Sequence, residues 1–231
     1  MRRRPRNDPR QYDDLVGEWW KPGGAFAALH WLAPARARLI PPPSRNGAVL
    51  VDVGCGGGLL APHVDGYRHI GVDLVHSALA LAARHGVVPV QADAHALPLA
   101  DQAADVVVAG EILEHVPDLE RVVEELARVL RSGGTVIIDT INDTWLARFA
   151  LVTVGERAPG GPPPGIHDPA LFVRPERLRR LFARHGVMLA VRGIRPSALD
   201  LVAFVFNRRR PVRMVPTRSV RLVYQGLGKK V

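Results

Sequence analysis

The feature that most constrains the fold is a strand-like run that leads directly into a glycine-rich turn. Residues 49–53 read Val-Leu-Val-Asp-Val, and glycines follow at positions 54, 56, 57 and 58. A short β-branched run favours a buried parallel strand, and glycines let a ligand approach the backbone where a Cβ would collide. Asp73 comes nineteen residues after Gly54, at the end of a second predicted strand, where its carboxylate can accept hydrogen bonds from ribose hydroxyls. The sequence therefore predicts a site for a cofactor that contains a nucleoside.

The spacing of the turn distinguishes between two classes of nucleoside cofactor. A dinucleotide-binding turn has a third glycine at its sixth position, which allows a helix to pack closely and hold a pyrophosphate. This chain has Leu59 there. An acid, Asp93, follows the third predicted strand and is available to the amino group of an adenine. The pattern favours S-adenosylmethionine (SAM) over NAD.

Alternating strand and helix patterns predict the fold class. Strands are predicted near residues 48–53, 69–73, 87–92, 104–109 and 134–139, with helices such as 77–85 and 119–130 between them. The chain would then end on a helix at 175–186 and strands at 187–194 and 201–206. This alternation is typical of an α/β fold with a doubly wound, mostly parallel sheet, here of seven strands. An N-terminal helical segment at 12–40 is included in the predicted domain, which spans residues 12–206.

The insert after the fifth predicted strand, residues 142–174, is predicted to be a lid. Loops at the carboxyl edge of such a sheet are where substrates bind. The insert contains a group of apolar residues, Trp145, Leu146, Phe149, Leu151 and Val152. They either pack on the core or form a face that dips into a bilayer.

The net charge of +9 is concentrated at the two ends of the chain. Residues 1–11 are predicted to be a disordered basic tail, and residues 207–231, a second predicted tail, carry eight Lys or Arg and no acid. Such ends are either solvated or bind an anionic membrane surface. Nucleic acid is disfavoured because no aromatic residues interleave with the charges. No stretch approaches the roughly 18 apolar residues of a spanning helix, so the sequence predicts a cytoplasmic protein, with peripheral attachment to the inner face of the membrane as the alternative.

Several motifs resemble a known family. Over residues 48–206 the order of strands, glycine turn and acids resembles the class I SAM-dependent methyltransferases. Closer matches, to the ubiquinone-biosynthesis O-methyltransferase family, are Glu-Trp-Trp-Lys-Pro-Gly-Gly-Ala-Phe at 18–26, Glu-Ile-Leu-Glu-His-Val at 111–116 and Gly-Ile-His-Asp at 165–168. The resemblance implies that Arg36, Gly54 and Asp73 contact SAM. The predicted cofactor site as a whole comprises Arg36, Asp52, Gly54, Gly56, Gly58, Asp73, Leu74, Asp93, Ala94 and Gly110.

The segment after the fourth predicted strand carries the candidate catalytic residues. If the methyl acceptor is a phenol, its hydroxyl, with a pKa of about 10, is mostly protonated at neutral pH. Its methylation then needs a base or a metal. Glu111, Glu114 and His115 would project to one side if this turn is helical. Two carboxylates and an imidazole suit a divalent ion such as Mg²⁺ or Zn²⁺, and the resemblance implies a metal at these positions.

Two metal-free interpretations stay open. In the first, His115 is the general base, because its unperturbed pKa is nearest to the working pH. Glu111 would be a further acid/base group, and His167 is the reserve candidate for the base. In the second, the glutamates cap a helix and His115 only lines the pocket.

The patterns predict a SAM-dependent enzyme, and the resemblance implies an O-methyltransferase that acts on a phenolic or catechol hydroxyl. The resemblance implies a polyprenyl quinone precursor as the small-molecule aromatic substrate. The alternatives are a secondary-metabolite methyltransferase with a water-soluble acceptor, a SAM-binding module without catalysis and, more remotely, an NAD-dependent oxidoreductase. Fold analogy alone does not choose among acceptors.

Overall fold

The computed structural model describes residues 4–158 and 161–231. Its centre is an eight-stranded sheet in the order β3-β2-β1-β4-β5-β8-β6-β7. The strands are β1 (Val49–Val53), β2 (Arg68–Asp73), β3 (Val88–Gln91), β4 (Ala104–Gly110), β5 (Leu130–Ile141), β6 (Val187–Pro196), β7 (Met214–Thr217) and β8 (Val223–Lys230). Strands β1 to β5 pair in parallel, whereas β8 pairs antiparallel with β5 and β6, and β7 pairs antiparallel with β6. The sheet is mostly parallel, as predicted, but it has one strand more than the seven predicted.

Helices cover both faces of this sheet. They are α1 (Arg10–Asp14), α2 (Ala27–Ala37), α3 (His76–Ala83), α4 (Leu119–Val129), α5 (Trp145–Ala147), α6 (Pro175–Arg184) and α7 (Ala198–Phe206). Val107 and Ile138 pack with α4 and α6 on one face, whereas Val106 and Ile137 pack with the end of α2 on the other. Neighbouring residues of β4 point to opposite faces of the sheet, and both faces are covered by helices. For this reason β4 is mostly apolar along its length. The doubly wound α/β class is confirmed.

The strand predicted at 201–206 is wrong, because these residues lie in α7. Ser197 caps this helix by accepting a hydrogen bond from the backbone N–H of Asp200. Of the residues in α7, only Phe204 is buried, against Ala27 and Val212. The capped first turn favours a helix here despite the strand preference of the β-branched and aromatic residues. Most of the apolar surface of α7 faces solvent.

Residues 207–231 are not a tail, which corrects the second boundary prediction. They contain β7 and β8, and β8 lies inside the sheet between β5 and β6. Tyr224 and Gly228 lie on its buried face, in the alternating pattern of a strand. Lys230 Nζ donates to two backbone carbonyls at the end of α4, at 2.8 and 2.9 Å. This charge satisfies the end of a helix and is not a free surface charge.

The described part of the N-terminal segment, residues 4–11, is folded as well. Arg4 pairs with Asp14 at 2.8 Å. Arg6 pairs with the buried Glu156 at 3.0 Å, which ties the segment to the insert. The prediction of a disordered tail is therefore wrong for residues 4–11, and for residues 1–3 it lies outside the described part of the chain.

The insert at 142–174 is mainly helical where the structure describes it, with residues 159–160 left out. Helix α5 continues into a π-helical segment, Arg148–Val154, and a 3-10 turn, Gly155–Arg157. Its inner residues, including Val152, pack with β5, whereas Trp145 and Phe149 are 76% and 54% exposed. The inner side of the insert thus packs on the core, as the first interpretation predicts, and its outer side leaves apolar side chains exposed. Within the described ranges, none of the helices has the length and apolar character needed to cross a bilayer.

Candidate active site

A cavity of about 640 Å³ opens at the carboxyl ends of β1, β2 and β4. This edge of an open parallel sheet is where ligands bind. The walls come from the N-terminal segment, α2, the glycine turn, the residues after β4, and the insert. The predicted cofactor residues that line the cavity are Arg36, Asp52, Gly54, Gly56, Asp73, Leu74, Asp93, Ala94 and Gly110. The sequence thus located most of one wall.

The glycine turn has the backbone that its sequence predicts. Gly54 and Gly56 have φ angles of 72° and 51°, which residues with a Cβ rarely adopt. A Cβ on Gly56 would lie 2.2 Å from the ring of Trp19. Gly58 is not among the cavity residues, and a Cβ there would lie 2.8 Å from Ala82 Cα. Gly58 therefore allows α3 to pack against the turn.

Asp73, at the end of β2, is held by the backbone of the same turn. Its Oδ2 accepts from Gly56 N at 2.8 Å and its Oδ1 from Val75 N at 2.9 Å. Burial raises the pKa of Asp73 above its usual value. Each oxygen keeps a second lone pair, so the carboxylate can still accept hydrogen bonds from ribose hydroxyls. Leu74 follows it and leaves an apolar side chain 49% exposed at the cavity.

Asp93 follows β3 and lines the same cavity. Its Oδ1 accepts from the backbone N and the Nδ1 of His95, at 2.9 and 2.5 Å. These bonds, the backbone one first, hold the pKa of Asp93 below its usual value. Because both bonds end on Oδ1, the Oδ2 atom is left for a donor such as an adenine amino group.

Arg36, on α2, forms a buried ion pair with Asp139 of β5. Its Nε and Nη2 atoms donate to the two carboxylate oxygens at 2.5 Å each. Gly110 permits this approach, because a Cβ there would lie 1.9 Å from Arg36 Cζ. Within the described chain, the remaining nitrogen, Nη1, has no protein acceptor, and it can bind the carboxylate of a ligand. Sequence reasoning missed Asp139, although an acid inside a buried strand was a signal.

The turn after β4 does not form the helix on which the predicted face of Glu111, Glu114 and His115 depended. Glu111 has a φ of 54°, and Leu113–His115 is a single 3-10 turn. Glu111 and His115 line the cavity. Glu114 is fully buried and accepts a hydrogen bond from Thr140 Oγ1 at 2.7 Å.

The two glutamates of this turn influence each other's pKa; Glu114 is fully buried and Glu111 is half-buried. Burial, with the neighbouring Glu114 and Asp139 carboxylates, raises the pKa of Glu111. Burial also raises the pKa of Glu114, to about 7. In the described residues, the Oε1 atom of each glutamate is buried without a hydrogen-bond partner. Unpartnered buried oxygens of this kind are suited to a cation or a donor from a ligand.

His167, from the insert, takes the place of Glu111 in the group of possible metal ligands. Glu114, His115 and His167 each bring one potential ligand atom within 4.8 Å of the others. The two imidazole rings are stacked, with centroids 5.4 Å apart. Burial lowers the pKa of His115 to about 3 and that of His167 to about 4. Both rings are therefore neutral at physiological pH, which is the form that binds a metal or accepts a proton.

Besides Asp139, the sequence did not point to Asn7, Tyr12 and Glu156, which also contact residues of the site. Asn7 Oδ1 lies 2.6 Å from His115 Nδ1, and the Tyr12 hydroxyl oxygen lies 3.5 Å from His115 Nε2. A carboxylate oxygen of Glu156 lies 4.0 Å from His167 Nδ1. Their contacts join segments far apart in the chain, and no local pattern marks them.

Comparison with known proteins agrees with this geometry. A family model described as a methyltransferase domain matches residues 51–138. The fold is similar to that of a SAM-dependent methyltransferase from Thermotoga maritima, described as a possible histamine N-methyltransferase, with a TM-score of 0.69 at 18% identity over 96% of this chain and 99% of that one. A SAM-dependent methyltransferase from Aquifex aeolicus has a TM-score of 0.59 at 13% identity over 97% of this chain and 99% of that one. The match to the methyltransferase-domain model, with the curated relatives described next, shows that the protein is a SAM-dependent methyltransferase.

Curated relatives narrow the class. The ubiquinone biosynthesis O-methyltransferase of Burkholderia pseudomallei is 34% identical over 197 residues, which cover 80% of this chain and 84% of the relative. The protein of the same description from Coxiella burnetii is 32% identical over 188 residues, which cover 78% of this chain and 80% of the relative. The chain belongs to the ubiquinone biosynthesis O-methyltransferase family. The predicted family, enzyme class and use of SAM are confirmed.

Proposed function

We propose that this protein transfers the methyl group of SAM to a phenolic or catechol hydroxyl, and that the acceptor carries a polyprenyl chain. The observation that carries the proposal is a neutral imidazole, His115, at the cavity wall beside His167 and Glu114. A hydroxyl acceptor must lose its proton, and this group provides a place for it. The two curated relatives named above are described as O-methyltransferases, which supports an oxygen acceptor.

The reaction is an in-line displacement, so the acceptor oxygen, the methyl carbon and the sulfur must be aligned. SAM supplies a methyl group on a positively charged sulfur when it is bound. The acceptor oxygen forms a bond to that carbon as the carbon–sulfur bond breaks, and the electron pair stays on sulfur. His115 accepts the hydroxyl proton at its unprotonated ring nitrogen.

The electrostatics of the cluster determine how easily this proton moves. The lowered pKa of His115 makes it a weak base by itself. The imidazolium that forms lies next to the Glu114 carboxyl, whose ligand atom is within 4.8 Å. A negative charge there stabilises the imidazolium. Because burial raises the pKa of Glu114, this carboxyl gains its negative charge as the pH rises.

As the alternative to proton transfer by His115, we propose that a divalent ion binds at Glu114, His115 and His167. The ion would then occupy the ring nitrogen of His115 that otherwise accepts the proton. The neutral imidazoles and the unpartnered Oε1 of Glu114 fit such an ion. Two imidazoles and one carboxylate suit Zn²⁺, whereas Mg²⁺ prefers oxygen ligands. The chemistry that a metal supplies at this position is a lower pKa of a hydroxyl bound to it.

The apolar part of the cavity supports a chain on the acceptor. Its lining includes apolar residues from α2, the insert, β7 and β8, among them Leu29, Leu151, Ile166, Met214 and Val223. Burying a methylene group there stabilises the complex by about 0.8 kcal/mol. A prenylated catechol should therefore bind more tightly than the same ring without a chain.

The test is methyl transfer from labelled SAM to two matched catechols, with and without a short prenyl chain. The prenylated acceptor should have the lower KM, and His115→Gln should lower kcat by about 10²- to 10⁴-fold. The exposed His63, changed to Gln, is the control for loss of a histidine. Turnover that a chelator abolishes and Zn²⁺ restores would support the metal, whereas chelator-resistant turnover would leave proton transfer to His115 alone.

Three other outcomes would contradict the proposal. SAM binding without transfer to any catechol would favour a non-catalytic module. Equal KM values for the two acceptors would favour a water-soluble substrate. Unchanged kcat in His115→Gln would remove this residue from the chemistry.

We also propose that the protein attaches to anionic membranes through two exposed apolar patches that flank the cavity. One is on the insert, with Trp145 and Phe149 exposed. The other is on α7, where Leu199 and Phe206 are 81% and 87% exposed, followed by three arginines at 208–210. Leu151 of the insert and Pro196, just before α7, both line the cavity. Apolar side chains next to arginines are suited to an anionic bilayer, because the side chains enter the interface and the arginines are attracted to the lipid headgroups. Each basic residue near the lipid contributes about 1 kcal/mol to binding.

Cosedimentation with liposomes tests this surface. Binding to anionic vesicles at low salt and little binding to neutral vesicles is the expected result. The double variant Leu199→Ser, Phe206→Ser should lose most of it. Met188→Ser is the matched control, because Met188 is 71% exposed on the separate strand β6. Binding that the double variant retains, or that Met188→Ser loses equally, would contradict the proposed surface.

A further inference from the structure

The N-terminal segment contacts the imidazole of His115 directly. Asn7 Nδ2 donates to the backbone carbonyl of His115 at 2.8 Å, and Asn7 Oδ1 lies 2.6 Å from His115 Nδ1. One side chain thus bonds to both the backbone and the ring of the same residue, across 108 positions of sequence.

These two contacts together determine which ring nitrogen carries the proton. The carbonyl of His115 only accepts hydrogen bonds, so the amide nitrogen of Asn7 must face it. The amide oxygen then faces the ring, and because that oxygen also only accepts, Nδ1 must be the protonated nitrogen. In a neutral imidazole Nε2 is then the unprotonated one. The hydroxyl of Tyr12, another cavity residue, lies 3.5 Å from Nε2.

We infer that Asn7 is a positioning residue that holds His115 in the tautomer with a proton on Nδ1 and a lone pair on Nε2. The inference rests on the proposed function for the use of that lone pair. It assigns to the N-terminal segment a role in setting up the reaction, since the tautomer with the proton on Nε2 could not accept a proton there.

Asn7 is itself held in place, which it must be to select a tautomer. Its φ is 60°, a left-handed conformation that asparagine tolerates better than most residues. Its backbone N donates to Gly165 O at 2.9 Å. Gly165 N in turn donates to Glu156 at 2.9 Å, and Glu156 pairs with Arg6, the neighbour of Asn7. The segment and the insert therefore fix the amide from both sides.

The experiment measures the tautomer directly, by ¹⁵N NMR of the His115 ring in the full-length protein. Asn7→Gly removes the amide and keeps the left-handed backbone. Asn7→Asp keeps an acceptor for Nδ1–H and loses the donor to the carbonyl. Gln11→Leu is the control in the same segment, because Gln11 bonds to Pro5 O and Gly165 O and not to His115.

The wild type should show a proton on Nδ1, and Asn7→Gly should shift the population towards Nε2–H. Its kcat should fall by about 10- to 100-fold with the KM for the acceptor within twofold of wild type. Asn7→Asp should keep the Nδ1–H tautomer and recover most of kcat, and Gln11→Leu should keep the tautomer. A wild-type tautomer in Asn7→Gly, or the same loss in Asn7→Asp as in Asn7→Gly, would overturn the inference. If the tautomer behaves as expected but no hydroxyl acceptor is methylated, the proposed function fails while the assignment of Asn7 stands.

Discussion

The ion pair between Arg36 and Asp139 makes the sharpest prediction about stability. Asp139 is fully buried and the Arg36 side chain is 9% exposed. In Asp139→Asn the amide has nearly the shape of the carboxylate, but it carries no charge and its nitrogen presents hydrogens to a guanidinium that only donates. Arg36 is then left charged and incompletely paired inside the protein. Removing one partner of a buried pair costs about 3–5 kcal/mol.

This loss is large compared with the free energy of unfolding of a typical domain, about 5–15 kcal/mol. For a chain of 231 residues, where about 1 kcal/mol changes Tm by about 2–4 °C, the expected decrease in Tm is about 6–20 °C. Urea unfolding at pH 7 and differential scanning calorimetry would measure both quantities.

The matched control is Asp101→Asn. Asp101 pairs with Arg128 at 2.7 Å, but its side chain is 75% exposed, so the same chemical change there should cost no more than about 1 kcal/mol. The double variant Arg36→Met, Asp139→Leu removes both charges and should recover part of the lost stability. A cost below about 1 kcal/mol in Asp139→Asn, or one equal to that of Asp101→Asn, would refute the reasoning about burial.

Two further predictions concern the cofactor wall and the pH dependence of stability. Gly110→Ala should displace the guanidinium of Arg36, because the new Cβ would lie 1.9 Å from Cζ, and should weaken SAM binding at least about tenfold, a difference of about 1.4 kcal/mol. Isothermal titration calorimetry measures this affinity. Gly17→Ala is the control, since nothing lies within 4 Å of a Cβ at that position. Equal SAM affinities in the two variants would count against the role of Gly110. Burial lowers the pKa of His30, so below about pH 6.5 the unfolded chain binds more protons than the folded one, and the stabilisation from neutral His30 is lost as pH falls. Between pH 6.5 and 5 the free energy of unfolding, measured by urea unfolding at each pH, should therefore fall more steeply in the wild type than in His30→Gln. The exposed His76, changed to Gln, is the control and should keep the slope of the wild type. Equal slopes in the wild type and His30→Gln, or a changed slope in His76→Gln, would contradict the prediction.

Local patterns predicted the nucleotide-binding half of the molecule. Strands β1 to β5, the positive φ angles of the glycine turn, and the positions of Asp73 and Leu74 at the cavity all follow from short runs of sequence. A strand buried on both faces and a turn that requires glycine can each be recognised from a few consecutive residues. This is why the cofactor class could be identified from the glycine turn, whereas the family was identified from the short motifs at 18–26, 111–116 and 165–168.

The second half of the sheet could not be predicted in this way. Residues 201–206 have the composition of a strand but form α7, and β8 occupies the place beside β5. Composition alone does not decide between these structures. The choice depends on the cap that Ser197 provides and on the fit of Tyr224 and Gly228 against the core.

By itself, the sequence determined the α/β class, the cofactor turn and the family, because each is encoded by residues close together in the chain. Only the tertiary structure decided which side chains meet at the reacting centre. Among the described residues, His167 and not Glu111 brings a potential ligand atom within 4.8 Å of those of Glu114 and His115, and Leu113–His115 is a single 3-10 turn with no helical face. Arg36 and Asp139 are 103 positions apart, and Asn7 and His115 are 108 apart. Contacts over such separations depend on how the packed sheet brings distant loops to one edge, and for this reason no local pattern in the chain specifies them.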